Sequence, residues 1–178
     1  MKKICIAKWK EFEIGKLFEI KKGKRLTKAD MREGDINFIG ASAVNNGVTA
    51  KIANNDYLHQ PNTITVNYNG SVGVSFYQTE PFWASDDVNI LYPKFKLNKH
   101  IAMFIIPILQ CKGKQYAFVD KWKKEYMEKD IILLPSTADG QPDWAYMEAY
   151  IKSIETNVCN YIDLLYNDSV LVSNIDGQ

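Results

Sequence analysis

Between residues 36 and 93 the chain alternates short apolar runs with turn formers, and this punctuation constrains the fold more than any other feature. The runs are INFIGAS (36–42), GVTAKI (47–52), NTITVNY (62–68), VGVSFYQ (72–78) and VNILYP (88–93). Each is rich in β-branched or aromatic residues, which pack well on a pleated surface. Asn45-Asn46-Gly47, Asn54-Asn55-Asp56 and Asn69-Gly70-Ser71 separate them, and Asn and Gly tolerate the backbone angles of tight turns. The pattern predicts five strands. Gly70-Ser71-Val72-Gly73 reads as a hairpin turn, not a phosphate-binding loop.

The flanks differ in character. An apolar, strand-like run at 14–20 precedes the sheet region. Residues 100–110 (HIAMFIIPILQ) predict a buried helix that Pro107 kinks or ends. KWKKEYMEK (121–129) predicts a short amphipathic helix and IILLP (131–135) a buried strand. The loop at 138–144 leads into a longer helix, with Pro142 in its first turn and Asp143 at the positive end of its dipole. From there Met147, Ile151, Ile154, Val158, Tyr161 and Leu165 recur with a 4-3-4-3-4 spacing, a heptad seam of about three repeats. Trp144, Tyr146 and Tyr150 lie off that seam, so one stripe can serve the domain and another a partner helix. The expected architecture is α+β: a β-rich globular body over residues 1–140, a spacer or dimerisation helix over 141–168, and a tail over 169–178.

Charge is segregated along the chain. The net formal charge is only +1, yet residues 1–33 carry 11 basic and 5 acidic side chains, and residues 94–129 carry 9 and 3. The intervening segment holds 1 and 5, and residues 130–178 hold 1 and 8. Two basic segments some sixty residues apart can fold onto one face and form a footprint for a polyanion.

The inventory of chemistry is sparse. There is no P-loop, no G-x-G-x-x-G after a strand and no G-x-S-x-G. His59 belongs to a polar turn and His100 to a helix start, and neither has a metal-ligand spacing. Cys5, Cys111 and Cys159 are too scattered for a disulfide framework and read as reduced, mostly buried thiols of a cytosolic protein. No apolar run reaches the roughly 20 residues of a membrane span, and Lys8, Lys10 and Glu11 interrupt any leader. Asp86-Asp87 is the one adjacent carboxylate pair. It reads as a turn before a strand, and only as an alternative as the metal site of a small nuclease using a nearby lysine. No catalytic residue, cofactor or metal is expected.

The stretch EIKKGKRLTKAD (19–30) crowds Lys21, Lys22, Lys24, Arg25 and Lys28 around Gly23, which suits a turn with the cations splayed outward. Its acids stand only at the ends. The second basic segment interleaves aromatics with cations: Lys112, Lys114, Gln115, Tyr116, Phe118, Lys121, Trp122, Lys123 and Lys124. Lysines neutralise phosphates, while Asn, Gln and Arg can read base edges. The DNA-contacting residues are therefore expected to be Lys21, Lys22, Lys24, Arg25 and Lys28, with Asn45, Asn46, Asn67, Asn69 and Ser71 from the turns and Lys114, Gln115, Tyr116 and Lys123 from the second segment.

From Trp9 to about Leu165 the chain resembles the target-recognition domain of the DNA-specificity (S) subunits of type I, and related type II, restriction–modification systems. The resemblance lies in the opening WKEFEIGKLFEIKKGKRLTKADMREGDINFIGAS, the central NTITVNYNGSVGVSFYQTEPFWASDDVNIL, and the closing YAFVDKWKKEYMEKDIILLPSTADGQPDWAYMEAYIKSIE. It implies a recognition domain on a long helix, without an active site. Double-stranded DNA would be one partner and a methyltransferase subunit, holding the S-adenosylmethionine site, another; a restriction subunit would join them. Members of this family commonly hold two recognition domains and two long helices, and this chain has one of each. It is then a half-size subunit, a fragment or a single-domain form, and a homodimer through the helix seam would restore the two-domain layout. A module that binds protein through its acidic helix is the remaining alternative.

Overall fold

The computed structural model describes residue 4, residues 6–116 and residues 121–175. Among the described residues, nine strands and four α-helices follow in order. β1 (Trp9–Glu13), α1 (Ile14–Leu17) and β2 (Phe18–Lys22) open the chain, and β3 (Glu33–Ile39) and β4 (Val48–Ile52) come next. They are followed by β5 (Thr63–Asn67), β6 (Ser75–Gln78), β7 (Phe82–Ala84) and β8 (Val88–Pro93). The chain closes with α2 (Lys99–Gly113), α3 (Lys124–Met127), β9 (Ile131–Pro135) and α4 (Trp144–Ile175). The class is α+β, as the resemblance implied.

Three sheets form the body. The largest has the order β2-β8-β5-β6, all antiparallel; β4-β3-β7 is mixed, with β7 parallel to β3; β1 pairs antiparallel with β9. Both faces of the central strands are covered. On one side Phe18, Ile20, Ile64, Val66 and Leu91 pack with Ile105 and Leu109 of α2, Trp122, Leu134 and Met147. On the other, Val88 and Ile90 pack with Ile39, Phe82 and Ala84. Full coverage explains why β5 is buried at every position, its polar Thr63, Thr65 and Asn67 included.

Several local expectations are corrected. The run at 14–20 is not one strand: Ile14–Leu17 makes a helical turn, which buries Ile14 and Leu17 before β2 starts. β1 and β7 carry no legible strand signal, because one is half charged and the other is three residues long. α2 continues six residues past Pro107. Pro107 and Met103, one turn earlier, are on the exposed side of the helix, where water can serve the carbonyl that the proline leaves without a donor. β9 is half buried, with Ile131 43% and Leu133 47% exposed. Pro142 lies before the helix, bridged to Ser136, while Asp143 caps α4 by accepting from the Tyr146 N–H at 2.9 Å. α4 runs on to Ile175, so residues 169–175 are helical and not a tail. Cys111 and Cys159 are exposed free thiols, on the open sides of α2 and α4, and Cys5 lies outside the described residues. His59 is half buried, stacked on Phe82 and 2.8 Å from the Tyr92 hydroxyl. No helix among the described residues is long and apolar enough to cross a membrane.

Gly23 is not the centre of a turn. A Cβ there would lie 2.0 Å from the Ser85 carbonyl oxygen and 2.7 Å from that of Ala84. The glycine instead lets the end of β2 lie flush on residues 84–85, with Gly23 N–H donating to the Val88 carbonyl and Lys24 N–H to that of Ala84, both at 2.9 Å. Gly23→Ala should lower stability by about 2 kcal/mol or more, because rigid backbone must move. A shift of the urea midpoint checks this; an unchanged midpoint refutes the close-approach argument.

His59 supplies a pH signature. Burial, with a smaller contribution from the charge of Lys21, lowers its pKa from 6.5 to about 4. The unfolded chain therefore takes up a proton below about pH 6.5 that the folded chain refuses until about pH 4. Stability should fall as pH drops across this window, and His59→Gln should flatten the fall in a series of melting curves. Identical profiles for the two proteins would show that His59 does not contribute.

Candidate nucleic-acid interface

The two basic segments meet. Lys22 at the end of β2 shares a cleft of about 210 Å³ with Lys121, Lys123 and Lys124, walled by Tyr68, Asn89 and Glu125. The backbone makes this meeting: Trp122 N–H donates to the Tyr68 carbonyl at 3.2 Å. Trp122 is fully buried, while its neighbour Lys123 points outward. Lys121 takes a left-handed φ of 43°, and Lys123 N–H donates to its carbonyl at 2.7 Å, which closes a tight turn around the buried tryptophan. Tyr68 also holds Lys22, whose Nζ sits 5.1 Å from its ring centroid. A hydrogen bond to Tyr68, then the charges of Tyr68, Asp86 and Glu125, raise Lys22 above the ordinary lysine value despite partial burial.

A carboxylate supports the second segment from behind. Asp130 accepts from the Tyr116 hydroxyl and the Trp122 indole N–H, each at 2.6 Å, and its other oxygen pairs with Lys112 Nζ at 3.2 Å. Tyr116 stacks on Trp122, and burial, followed by Asp130, pushes its pKa up to about 12. Tyr116 and Lys112 are therefore engaged in holding the segment.

The remaining expected contact residues divide. Lys21 points to the opposite face of the sheet from Lys22, as strand alternation requires, where it pairs with Glu19 at 3.5 Å and lies over Tyr92 at 4.5 Å. Lys24 stacks over Tyr57 at 3.0 Å from the centroid, and Arg25 lies 3.7 Å from Asp86. Lys28 is exposed in a turn capped by Thr27 and Asp30. The asparagines are mostly committed to the fold. Asn67 is buried and donates to the Ser42 carbonyl, Asn45 donates to the Val48 carbonyl, and Asn46 donates to Gln78 Oε1. Asn45 and Asn46 both hold φ at 52°, which asparagine tolerates. Asn69 donates to Asp87 Oδ1 at 2.7 Å. Ser71 is half exposed in the β5–β6 connection, and Lys114 lines a second cavity of about 200 Å³ with Ala43, Val72 and Phe76. Gln115 is exposed just beyond α2.

The cleft also contains residues that sequence reasoning passed over. Asn89 is fully buried in β8, and its Oδ1 lacks a hydrogen-bond partner among the described residues, as does that of Asn69. A buried asparagine within the run VNILYP was a usable signal; Tyr68, hidden between two asparagines, was not. Asp86 and Asp87 are engaged by Arg25 and Asn69, and no three His, Cys, Asp or Glu side chains among the described residues form a metal site.

The helix seam divides as well. Met147 is buried, Ile151 packs on the core, and Ile154 lines an apolar groove with Trp9, Phe104 and Tyr150. Trp144 stacks on Phe95 at 3.8 Å and Tyr150 lies edge-on to Phe104, so these off-seam aromatics also serve the domain. Glu155 marks the last anchor, pairing with Lys99 at 3.0 Å and lying 2.8 Å from His100. Beyond it Val158, Tyr161 and Leu165 are 51%, 63% and 53% exposed.

A β-rich body with a cationic cleft and a projecting helix defines a recognition module more readily than an enzyme. The family described as the type I restriction modification DNA specificity domain matches residues 6–163, and the chain belongs to that family. It is 43% identical over 152 residues to the specificity subunit S.BcgI of the type II restriction enzyme BgcI from Heyndrickxia coagulans, which covers 84% of this chain and 44% of that subunit. Among solved structures it resembles the S subunit of a type I restriction–modification system from M. genitalium, with a TM-score of 0.62 and 19% identity over 93% of this chain and 44% of that one. The HsdS subunit of Thermoanaerobacter tengcongensis matches with a TM-score of 0.62 and 16% identity over 86% of this chain and 39% of that one. The chain thus spans less than half the length of these relatives. Specificity subunits are the non-catalytic DNA-recognition components of restriction–modification systems.

Asp130→Ala leaves Lys112, Tyr116 and Trp122 without their shared acceptor, so it should cost about 2–4 kcal/mol and loosen the turn at Lys121. Chemical denaturation measures the first effect, and the near-UV circular dichroism of Trp122 the second; an unperturbed spectrum would contradict the supporting role.

Proposed function

We propose that the chain is a half-size specificity subunit, with one recognition domain (residues 1–140) and one spacer helix (α4, Trp144–Ile175), that binds double-stranded DNA sequence-specifically. It directs a partner methyltransferase subunit, and a restriction subunit where the system has one, to the recognised site in the cytoplasm. The carrying observation is the shared cleft of Lys22, Lys121, Lys123 and Lys124, which brings together lysines roughly a hundred residues apart in the two basic segments. Lysines of this kind neutralise phosphates and fix register. Lys24, Arg25 and Lys28 extend the basic surface along the same segment, with Arg25 beside a carboxylate that DNA can displace.

The projecting length of α4 supports a second element of this reading. Its 20 residues beyond Glu155 extend about 30 Å, and they carry Val158, Tyr161, Ile162 and Leu165 in the open. Apolar side chains exposed at this density call for a partner helix. A second copy of the chain would supply one, and a two-fold dimer would read an inverted repeat.

Two measurements test the proposal. If about five phosphates are neutralised, affinity for a cognate duplex should fall roughly 500-fold between 50 and 200 mM salt, by fluorescence anisotropy. Replacing Lys22, Lys24 and Arg25 together with Ala should abolish DNA binding, whereas undiminished binding would favour the protein-interaction reading. Val158→Lys combined with Leu165→Lys should convert a dimer to a monomer by light scattering, with the fold intact. A wild-type chain that is monomeric at all concentrations excludes the dimer.

A further inference from the structure

Two carboxylates, Asp86 and Glu125, lie close enough to Lys22 to act on its charge, and phosphates repel carboxylates. Asp86 is exposed enough to reach a ligand, at 38% of its side chain, and it faces Arg25, at 78%. Both are presented from backbones that are locked together. Gly23 lies flush against residues 84–85, Lys24 N–H donates to the Ala84 carbonyl at 2.9 Å, and the Asp86 carbonyl accepts from the Tyr68 hydroxyl at 2.6 Å. Ser85 N–H donates to the Ile39 carbonyl at 2.8 Å, and Val88 N–H to that of Ser85 at 3.1 Å. A carboxylate so firmly placed among lysines is not a chance surface charge.

Resting on the DNA-binding reading above, we infer that Arg25 and Asp86 together read one G·C base pair in the major groove. The guanidinium fork donates to the O6 and N7 of guanine, and the carboxylate accepts from the N4 amino group of its paired cytosine. The two side chains carry complementary donor and acceptor sets, as the two bases of the pair do, and their 3.7 Å separation brings both to one step of the groove. In the free chain each satisfies the other; on DNA each exchanges that weak, solvated contact for a base edge. The pairing also rejects the other pairs. With adenine in guanine's place the N6 amino donor faces the guanidinium and the thymine O4 faces the carboxylate, and with thymine there its methyl group takes the place of the N7 acceptor.

The test is selection from a randomised duplex library with the full chain, followed by the same selection with Asp86→Ala, Asp86→Asn and Arg25→Ala. The wild type should fix a G·C pair at one position or more. Asp86→Ala and Arg25→Ala should both relax the same position, each by roughly 5- to 150-fold in discrimination, and leave the other positions unchanged. Asp86→Asn keeps the shape and retains an acceptor, so it separates loss of charge from loss of packing; it should weaken the cytosine preference without loss of the fold. Unchanged selection accompanied by tighter binding to every duplex would make Asp86 an electrostatic brake and overturn the inference. So would uniform weakening at all positions, the mark of a structural role. A wild-type chain that selects no sequence at all overturns the DNA-reading proposal itself, and a chain that selects a site insensitive to Asp86 overturns only the base-pair assignment.

Discussion

The carboxylate of Asp130 is the interaction on which the rest of the recognition surface depends. It is 15% exposed, and it gathers a cation from the end of α2, a hydroxyl and an indole N–H. Its backbone carbonyl accepts from the Ile14 N–H at 2.8 Å, which ties the start of α1 to the same point. A partly buried charge of this kind is tolerated because every donor within reach is aimed at it. The result is that Trp122 is locked into the core and the lysines around it are turned outward beside Lys22. The cleft is thus a consequence of one charge's need for partners.

The cations of this protein are not left bare. Lys22, Lys24 and Lys21 each lie over a tyrosine ring, and Arg25 and Lys21 each face a carboxylate. Such contacts at exposed sites are individually worth about 0.5–1 kcal/mol. They restrain long side chains without making them unavailable, which under the proposed function would present pre-positioned charge to a polyanion. The near-zero net charge belongs to the same arrangement. Eight acidic side chains lie in residues 130–178, and among them Asp130 sits directly behind the cleft while Glu148 and Glu155 of α4 pair with lysines.

Where α4 leaves the domain is also decided by packing. Up to Glu155 the helix offers Met147, Ile151, Trp144 and Tyr150 to aromatic and aliphatic partners on β1, α2 and the loop at Phe95. Past that residue the body ends, but the heptad repeat does not. Because the repeat outlasts its own domain, three heptads of uniform spacing include both fully buried and half-exposed members.

Much of this was legible in the chain. Alternation of short β-branched runs with Asn-Gly turns predicts β3, β4, β5, β6 and β8, since period and turn chemistry are local properties. The segregated charge and the heptad spacing are likewise local, and they announce a polyanion partner and a long helix. What the residues could not reveal is direction and proximity. Whether Gly23 serves a turn or a close approach depends on Ser85, sixty residues away. Whether Lys21 joins Lys22 depends on which face of β2 is covered, and whether Asn46 and Asn67 are free depends on Gln78 and Ser42. Side-chain type and spacing are written in the sequence, but the hydrogen-bond partner that commits or frees a polar group is chosen only when distant backbones are packed side by side.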